Sequence, residues 1–389
     1  MMNTVKVVVV NSLSYTGTTW LNVIIGCHER AFSLGPPDRV WNMLQVGKED
    51  GKKACLVHGD QCKFWPCFFE DYKKDENFFV QLSGFSHKDI IVTNNPLPQG
   101  AGSELHDSAI MVKSINLIRD GRALMASYMR KNKVSSAIDA IANFLYPSFH
   151  DFYFDENNPD ILCLRYEDVL QSKQEGLVAI GGYLGVFYEM NALKFWEYEH
   201  HITSGNQGTI ACIKFGQDIP VPDFRSREFY EKQFLEMKAG KDTNFNDERW
   251  RHELSRRELF LFDLLCGDEN QHFGYKRDQF SLNEISGFVH EIRRAKKGGA
   301  FPDSLAGLID ERLRALLGQM NARNEKSTKN SRIYSGVRQQ MSPNWIRRYG
   351  ISLTPEQIKL LFPYMIVGGI AFLSVLVLIV VMVCYFVFK

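Results

Sequence analysis

The chain has 389 residues, of which 45% are hydrophobic and 13% aromatic, enough apolar side chain to bury a sizeable core and to exclude an intrinsically disordered protein. Its net charge of +1 hides a division along the chain: residues 291–350 hold 13 Lys/Arg against 5 Asp/Glu, a net +8, whereas residues 1–290 hold 31 against 39, a net −8. An acidic body on a basic tether is expected, with no nucleic acid as a partner.

The opening MMNTVK passes straight into a strand-like VKVVVV (5–10), leaving no room for the charged and apolar regions of a signal peptide. Eight cysteines are scattered without a disulfide-scaffold pattern, so a reduced, cytoplasmic body is expected. At the end of the first strand, TGTTW opens a helix over 17–27. A strand that feeds small residues into a helix N-terminus offers free backbone N–H groups and the positive end of a helix dipole, a combination that binds phosphate or sulfate. The nucleotide triphosphatase pattern G-x-x-x-x-G-K-[ST] fails here, with Ser12 in place of the first glycine and Thr18 in place of the lysine. ATP hydrolysis is therefore not expected.

Further on, ACLVHGDQCKFWPC clusters Cys55, His58, Cys62 and Cys67. The spacing matches no common zinc module, so the cluster reads as a loop of small, half-buried thiols and no metal is expected. Strand-like runs follow at DIIVT (89–93), SINLI (114–118) and ILCLRY (161–166), separated by helix-like segments that include 120–131 and 173–184. Strands rich in Val and Ile that alternate with helices imply an α/β fold, a parallel sheet flanked by helices. Ligands of such sheets sit at the carboxyl ends of the strands. Arg119 ends one strand there, and Ser127 follows eight residues later on a helix; a guanidinium suits bidentate phosphate recognition. The plainer alternatives are a salt bridge from Arg119 to Asp120 or Glu167, and a mid-helix serine bonding its own backbone.

The body is expected to occupy residues 1–280 and a basic, partly helical tether 281–359. Within the tether Leu305, Leu308, Ile309, Leu313, Leu316, Leu317 and Met320 repeat at helical spacing, a stripe fit to pack on the core, to pair with another chain or to lie on a membrane. Residues 360–388 then run for 29 positions without a charge, against the ~20 that a membrane core needs, and read as a transmembrane helix. Arg347, Arg348 and Lys359 on the near side place the N-terminal domain in the cytoplasm, as a single-pass, tail-anchored protein.

SYTGTTW and RDGRALMASY, in this order and separation, resemble the two cofactor signatures of sulfotransferases that use 3′-phosphoadenylyl sulfate. The resemblance covers residues 5–275, extends to LRYEDVLQ, FWEYEHHITSGN and the segment 247–275, and is to the bacterial branch of that family. It implies a P-loop-like sulfotransferase fold, 3′-phosphoadenylyl sulfate as co-substrate, no metal, and a hydroxyl or amine acceptor; a membrane tether suits a lipid or glycan. Carried onto this chain, Thr16, Gly17, Thr18 and Thr19 would wrap the 5′-phosphosulfate and Arg119 and Ser127 would grip the 3′-phosphate. Trp20 and Tyr166 would contact the adenine, and Gly205 and Asn206 resemble a later loop near the cofactor.

Two departures stand out. The lysine or arginine that usually precedes the small-G-small-T run is Tyr15, a neutral donor in place of a cation. No general base stands where relatives carry one: IIVTNNPLP offers Asn94 and Asn95, and Pro36 replaces an expected glutamate, leaving Asp38 as first candidate base, with His58 and His87 after it. A sulfotransferase is the leading reading, a catalytically impaired nucleotide-binding scaffold or sensor the second, and an NTP-dependent kinase the third.

Overall fold

The computed structural model describes residues 4–46, 53–98, 100–224, 226–241, 248–299, 301–302 and 305–318. By its internal contacts the chain divides into residues 1–318 and 319–389. The expected membrane span at 360–388 lies outside the described residues, among which no helix is long and apolar enough to cross a membrane.

In chain order the first half runs β1 (Val5–Ser12), α1 (Thr18–Gly26), β2 (Ala31–Gly35), α2 (Asp38–Val46), α3 (Phe64–Asp71), α4 (Phe78–Ser86), β3 (Ile90–Asn94), α5 (Ala101–Glu104), β4 (Ile110–Ile118), α6 (Gly121–Asn132). The last strand is β5 (Ile161–Arg165). All five strands pair in parallel in the order β2-β3-β1-β4-β5. The central β1 explains its own sequence: Val7, Val8 and Val10 are wholly buried, so neither face of the strand tolerates a polar alternation.

Four strands fall on the runs expected from the sequence. The fifth, β2, reads AFSLG and has no apolar run to announce it. It is nevertheless buried throughout, and its polar Ser33 is satisfied by donating to Asn22 Oδ1, whose amide donates to Asn94 Oδ1 at 3.0 Å. A buried polar chain of this kind is tolerated because each member has a partner.

Buried side chains form two clusters. One holds β1, α1 and the aromatic side chains of α3 and α4; the other holds Ile118, Leu124, Phe149, Phe262 and Leu265. Leu117 belongs to the first and Ile118 to the second, as expected where successive side chains of a strand face opposite ways. The helix Leu282–Lys297 and the helical stretch 305–318 add Val289, Ile292, Leu305, Ile309 and Leu313 to the second cluster. The described part of the expected stripe, from Leu305 to Leu317, thus packs on a core, the first of the three uses its spacing allowed; Met320 lies outside the described residues.

One acid in this second layer is held out of its usual range. Burial foremost, opposed by Arg277 and Arg122, pushes Asp263 up from 3.8 to about 6. A folded-state value above the unfolded one favours the protonated form in the fold, so its contribution is present below pH 3.8 and is lost as pH rises toward 6. Asp263→Asn should therefore raise the unfolding free energy at pH 7 by ~1 kcal/mol, once partial solvent contact is allowed for, and leave it unchanged near pH 3.5. Denaturant unfolding of both proteins at the two pH values measures the difference.

Candidate active site

Parallel pairing brings the carboxyl ends of all five strands to one edge of the sheet, so the segments that follow Ser12, Gly35, Asn94, Ile118 and Arg165 share a rim. The loop after β1 is shaped by two left-handed residues, Tyr15 (φ 70°) and Gly17 (φ 100°). The intervening Thr16 is fully buried and donates its hydroxyl to Leu13 O at 2.5 Å. Gly17 is the N-cap of α1 and has no side chain to cap it, and among the described residues no side chain accepts from the first-turn N–H groups. Side chains brace the turn from outside: the Thr18 hydroxyl bonds that of Ser12, and Thr19 Oγ1 accepts from the Asn206 N–H at 2.9 Å. Asn206 in turn caps the helix Gln207–Gly216, accepting from Gly208 N and Thr209 N. Gly205, whose missing Cβ would lie 2.7 Å from Thr19 Cγ2, lets that loop close on α1.

Arg119, the residue after β4, is 6% exposed. Its Nη1 donates to Tyr15 O at 3.1 Å, its Nε stands 3.9 Å from Glu167 Oε1, and its guanidinium lies 4.9 Å from the centroid of the Tyr166 ring. Tyr166 meets Trp20 edge to face at 6.0 Å, and its Cε2 would lie 2.4 Å from a Cβ on Gly17. Of the residues carried over by resemblance, Thr16, Gly17, Thr18, Thr19, Trp20, Arg119 and Tyr166 therefore converge on one point of the rim: a helix N-terminus, a buried cation and two aromatic faces. Such a point is electropositive and apolar on one side, suited to an anionic ester with a flat ring.

The remaining candidates stand otherwise. Ser127 lies two turns into α6, where its hydroxyl accepts from Arg130 Nη2 at 3.3 Å. Tyr15 turns its side chain onto α6: its hydroxyl accepts from Asn132 Nδ2 at 3.1 Å, its ring meets Tyr128 and Phe144, and Lys131 Nζ lies 5.2 Å from the ring centroid. Asp38 is exposed at the start of α2, just after the rim end of β2. Asn94 is buried, with its carbonyl oxygen taken by Asn22. His87 ends α4 three residues before β3 begins, and so stands at the opposite edge of the sheet. His58 meets Cys55, Cys62 and His201, while Cys67 is exposed on α3.

Sequence reasoning missed the residues that surround the two suspected partners of Arg119. Asp120, one of its two suspected partners, is taken instead by Arg122, which grips it twice (Nε to Oδ1 at 2.9 Å, Nη2 to Oδ2 at 2.6 Å) and reaches Asp278 Oδ2 at 2.7 Å. The RDGR tetrapeptide carried that signal, because two arginines flank one aspartate. Glu167, the other suspected partner, does pair with Arg119, its Oε1 lying 3.9 Å from Nε, and it also accepts from the Tyr275 hydroxyl at 2.6 Å and the Asp120 N–H at 3.2 Å; burial raises its carboxyl above the usual range.

No protein-family model and no curated protein matches the chain. Among solved structures it is similar to sulfotransferase domains. The one from the Synechococcus PCC 7002 olefin synthase is 18% identical, with 61% of this chain and 96% of that chain covered and a TM-score of 0.36. The sulfotransferase domain from the curacin biosynthetic pathway is 14% identical over 70% of this chain and 99% of that one, with a TM-score of 0.40. Retinol dehydratase in complex with retinol and PAP is 13% identical over 72% and 84%, with a TM-score of 0.35.

Gly17 is the position on which the point of convergence turns. Gly17→Ala forces a Cβ into the Tyr166 ring at a φ of 100° and should cost ~1–3 kcal/mol of stability while displacing the ring from Trp20. Denaturant unfolding reads the first effect and near-ultraviolet circular dichroism the second.

Proposed function

We propose that the chain is a sulfotransferase that binds 3′-phosphoadenylyl sulfate at the rim and passes its sulfuryl group in line to a hydroxyl or amine. The observation that carries this reading is the meeting of the uncapped N-terminus of α1 with the buried guanidinium of Arg119 against Tyr166. In this assignment the N–H groups around Gly17, Thr18 and Thr19 receive the 5′-phosphosulfate, Arg119 and Ser127 the 3′-phosphate, and Trp20 and Tyr166 the adenine. Sulfuryl transfer asks chiefly for positioning and for donors aimed at oxygens on which charge develops, and backbone N–H groups of a fixed turn meet that need without reorganising. Asp38, beyond the end of β2, is the group assigned to take the acceptor proton. Residues 360–388 complete the proposal as a membrane span that holds the domain on the cytoplasmic side beside a lipid or glycan acceptor.

Calorimetric titration with adenosine 3′,5′-bisphosphate tests the binding half. Wild type should bind, and Arg119→Ala should weaken binding at least ~10-fold, the loss of a charged hydrogen bond to phosphate being worth ~1.5 kcal/mol or more. Undiminished affinity in the variant would remove Arg119 from the site.

A second reading, a nucleotide-binding scaffold that has lost catalysis, is favoured by the anchoring of Tyr15 on α6 and of Asn94 on Asn22. The two readings part on Tyr15→Lys. A missing cationic donor costs ~100–1,000-fold in rate, so the variant should transfer labelled sulfate to membrane extracts at least ~10-fold faster than wild type if an enzyme lacks only that donor. Tight binding of the bisphosphate with no transfer by either protein would leave the scaffold.

A further inference from the structure

We propose that Cys55, His58, Cys62 and His201 form a closed metal site that takes zinc. The sequence cluster around Cys55 contributes three of the four ligands, but its own fourth member, Cys67, faces solvent on α3. The fold substitutes His201, which is 139 residues beyond Cys62. One donor atom from each of the four lies within 4.8 Å of every other.

The separations fit a tetrahedral ion. Zinc–sulfur and zinc–nitrogen bonds of about 2.3 and 2.0–2.1 Å place a sulfur and a nitrogen ligand about 3.5 Å apart at tetrahedral angles. Cys55 Sγ stands 3.4 Å from His58 Nδ1, and Cys62 Sγ 3.6 Å from His201 Nδ1. Both sulfurs are buried, and the His58 N–H points at Cys55 Sγ at 3.4 Å, the arrangement that steadies a thiolate. Two thiolates and two neutral imidazoles offset the dication, and on binding the two thiol protons leave to solvent.

The surroundings of His201 are those of a ligand held in one orientation. Its Nδ1 faces the cluster while its Nε2 stands 3.2 Å from Glu199 Oε1, the pairing of a carboxylate with the far nitrogen that fixes the tautomer of metal-bound histidines. The ring stacks on Phe64 with centroids 4.6 Å apart, and its backbone carbonyl accepts from Trp65 Nε1 at 2.7 Å. Four protein ligands leave no open position, so the site is structural. What it would fix is clear from the neighbouring bonds. Leu56 N donates to Ile202 O at 2.8 Å, the Thr203 hydroxyl reaches Pro36 O at 3.2 Å, and Asn206 N donates to Thr19. The ion would tie the 53–62 segment to the strap that ends against α1, whether or not the rim binds a nucleotide.

Purified full-length chain, kept reduced, is loaded with zinc, freed of excess and analysed for metal by mass spectrometry. About one zinc per chain is expected, falling below about a tenth in Cys62→Ser and in His201→Ala, whereas Cys55→His, which keeps a ligand, should retain it. Cobalt(II) in place of zinc should give the intense visible absorption of a tetrahedral ion with thiolate charge transfer at shorter wavelength, and this readout needs only the wild type should a variant fail to fold. Reduced, folded wild type that takes up no metal would overturn the proposal, as would zinc content unchanged in both ligand variants or an octahedral cobalt spectrum. So would a Cys55–Cys62 disulfide whose reduction restores no metal binding.

Discussion

The contact from the Arg119 guanidinium to the Tyr15 carbonyl is the interaction on which the site depends. It joins the residue after β4 to the loop after β1, two strands that pair along their length from Val5 opposite Ile110 to Ser12 opposite Leu117. Because that register is parallel, the loop and the arginine leave the sheet at the same level. A register slip of one residue would turn every side chain of β4 to the other face and carry the guanidinium away from the loop. The cation is thus placed by eight paired residues of backbone rather than by its own rotamer.

Around that contact the acids are each held by more than one donor. Asp120 is bound on both oxygens by Arg122, which also draws in Asp278, and Glu167 is satisfied by Tyr275 and the Asp120 amide. Asn270 accepts from Gly121 N at 2.9 Å, fixing the first turn of α6. Asp120 is thereby committed to Arg122, while Glu167 also lies 3.9 Å from the Arg119 Nε. An arginine that met Asp120 directly would present a neutral pair to any anion. At α1, Ser12, Thr16 and Thr19 all turn their hydroxyls to protein partners, and the Thr16 N–H donates to Leu13 O at 3.3 Å.

The second organising element is the strap from Glu199 to Asn206. It is bonded to the 53–62 segment through Ile202 O, holds the carboxyl end of β2 through Thr203, and closes on Thr19 through Gly205 and Asn206. Its cysteine and histidine neighbours give that crossing a chemical identity that backbone hydrogen bonds alone would not supply.

Much of this was written in the order of residues. Runs such as VKVVVV and SINLI announced strands because a strand buried on both faces must be apolar at every position, and TGTTW and R-D-G-R marked the two turns because only small or left-handed residues and a strand-end arginine suit them. The stripe at Leu305, Ile309 and Leu313 announced a face to be buried, without saying against what. Other features had no local signature. AFSLG became a strand because β3 offers it a partner and Asn22 offers its serine one; Tyr15 turned to α6 because Tyr128 and Phe144 stand there to receive its ring. His201 joined Cys55, His58 and Cys62 across 139 residues, a distance over which no spacing rule operates. Sequence alone settles what a segment can bury and which turns it can make, since those are properties of neighbours along the chain. Which distant side chains share a donor, a ring or an ion is decided only when the sheet closes and brings its strand ends to one rim.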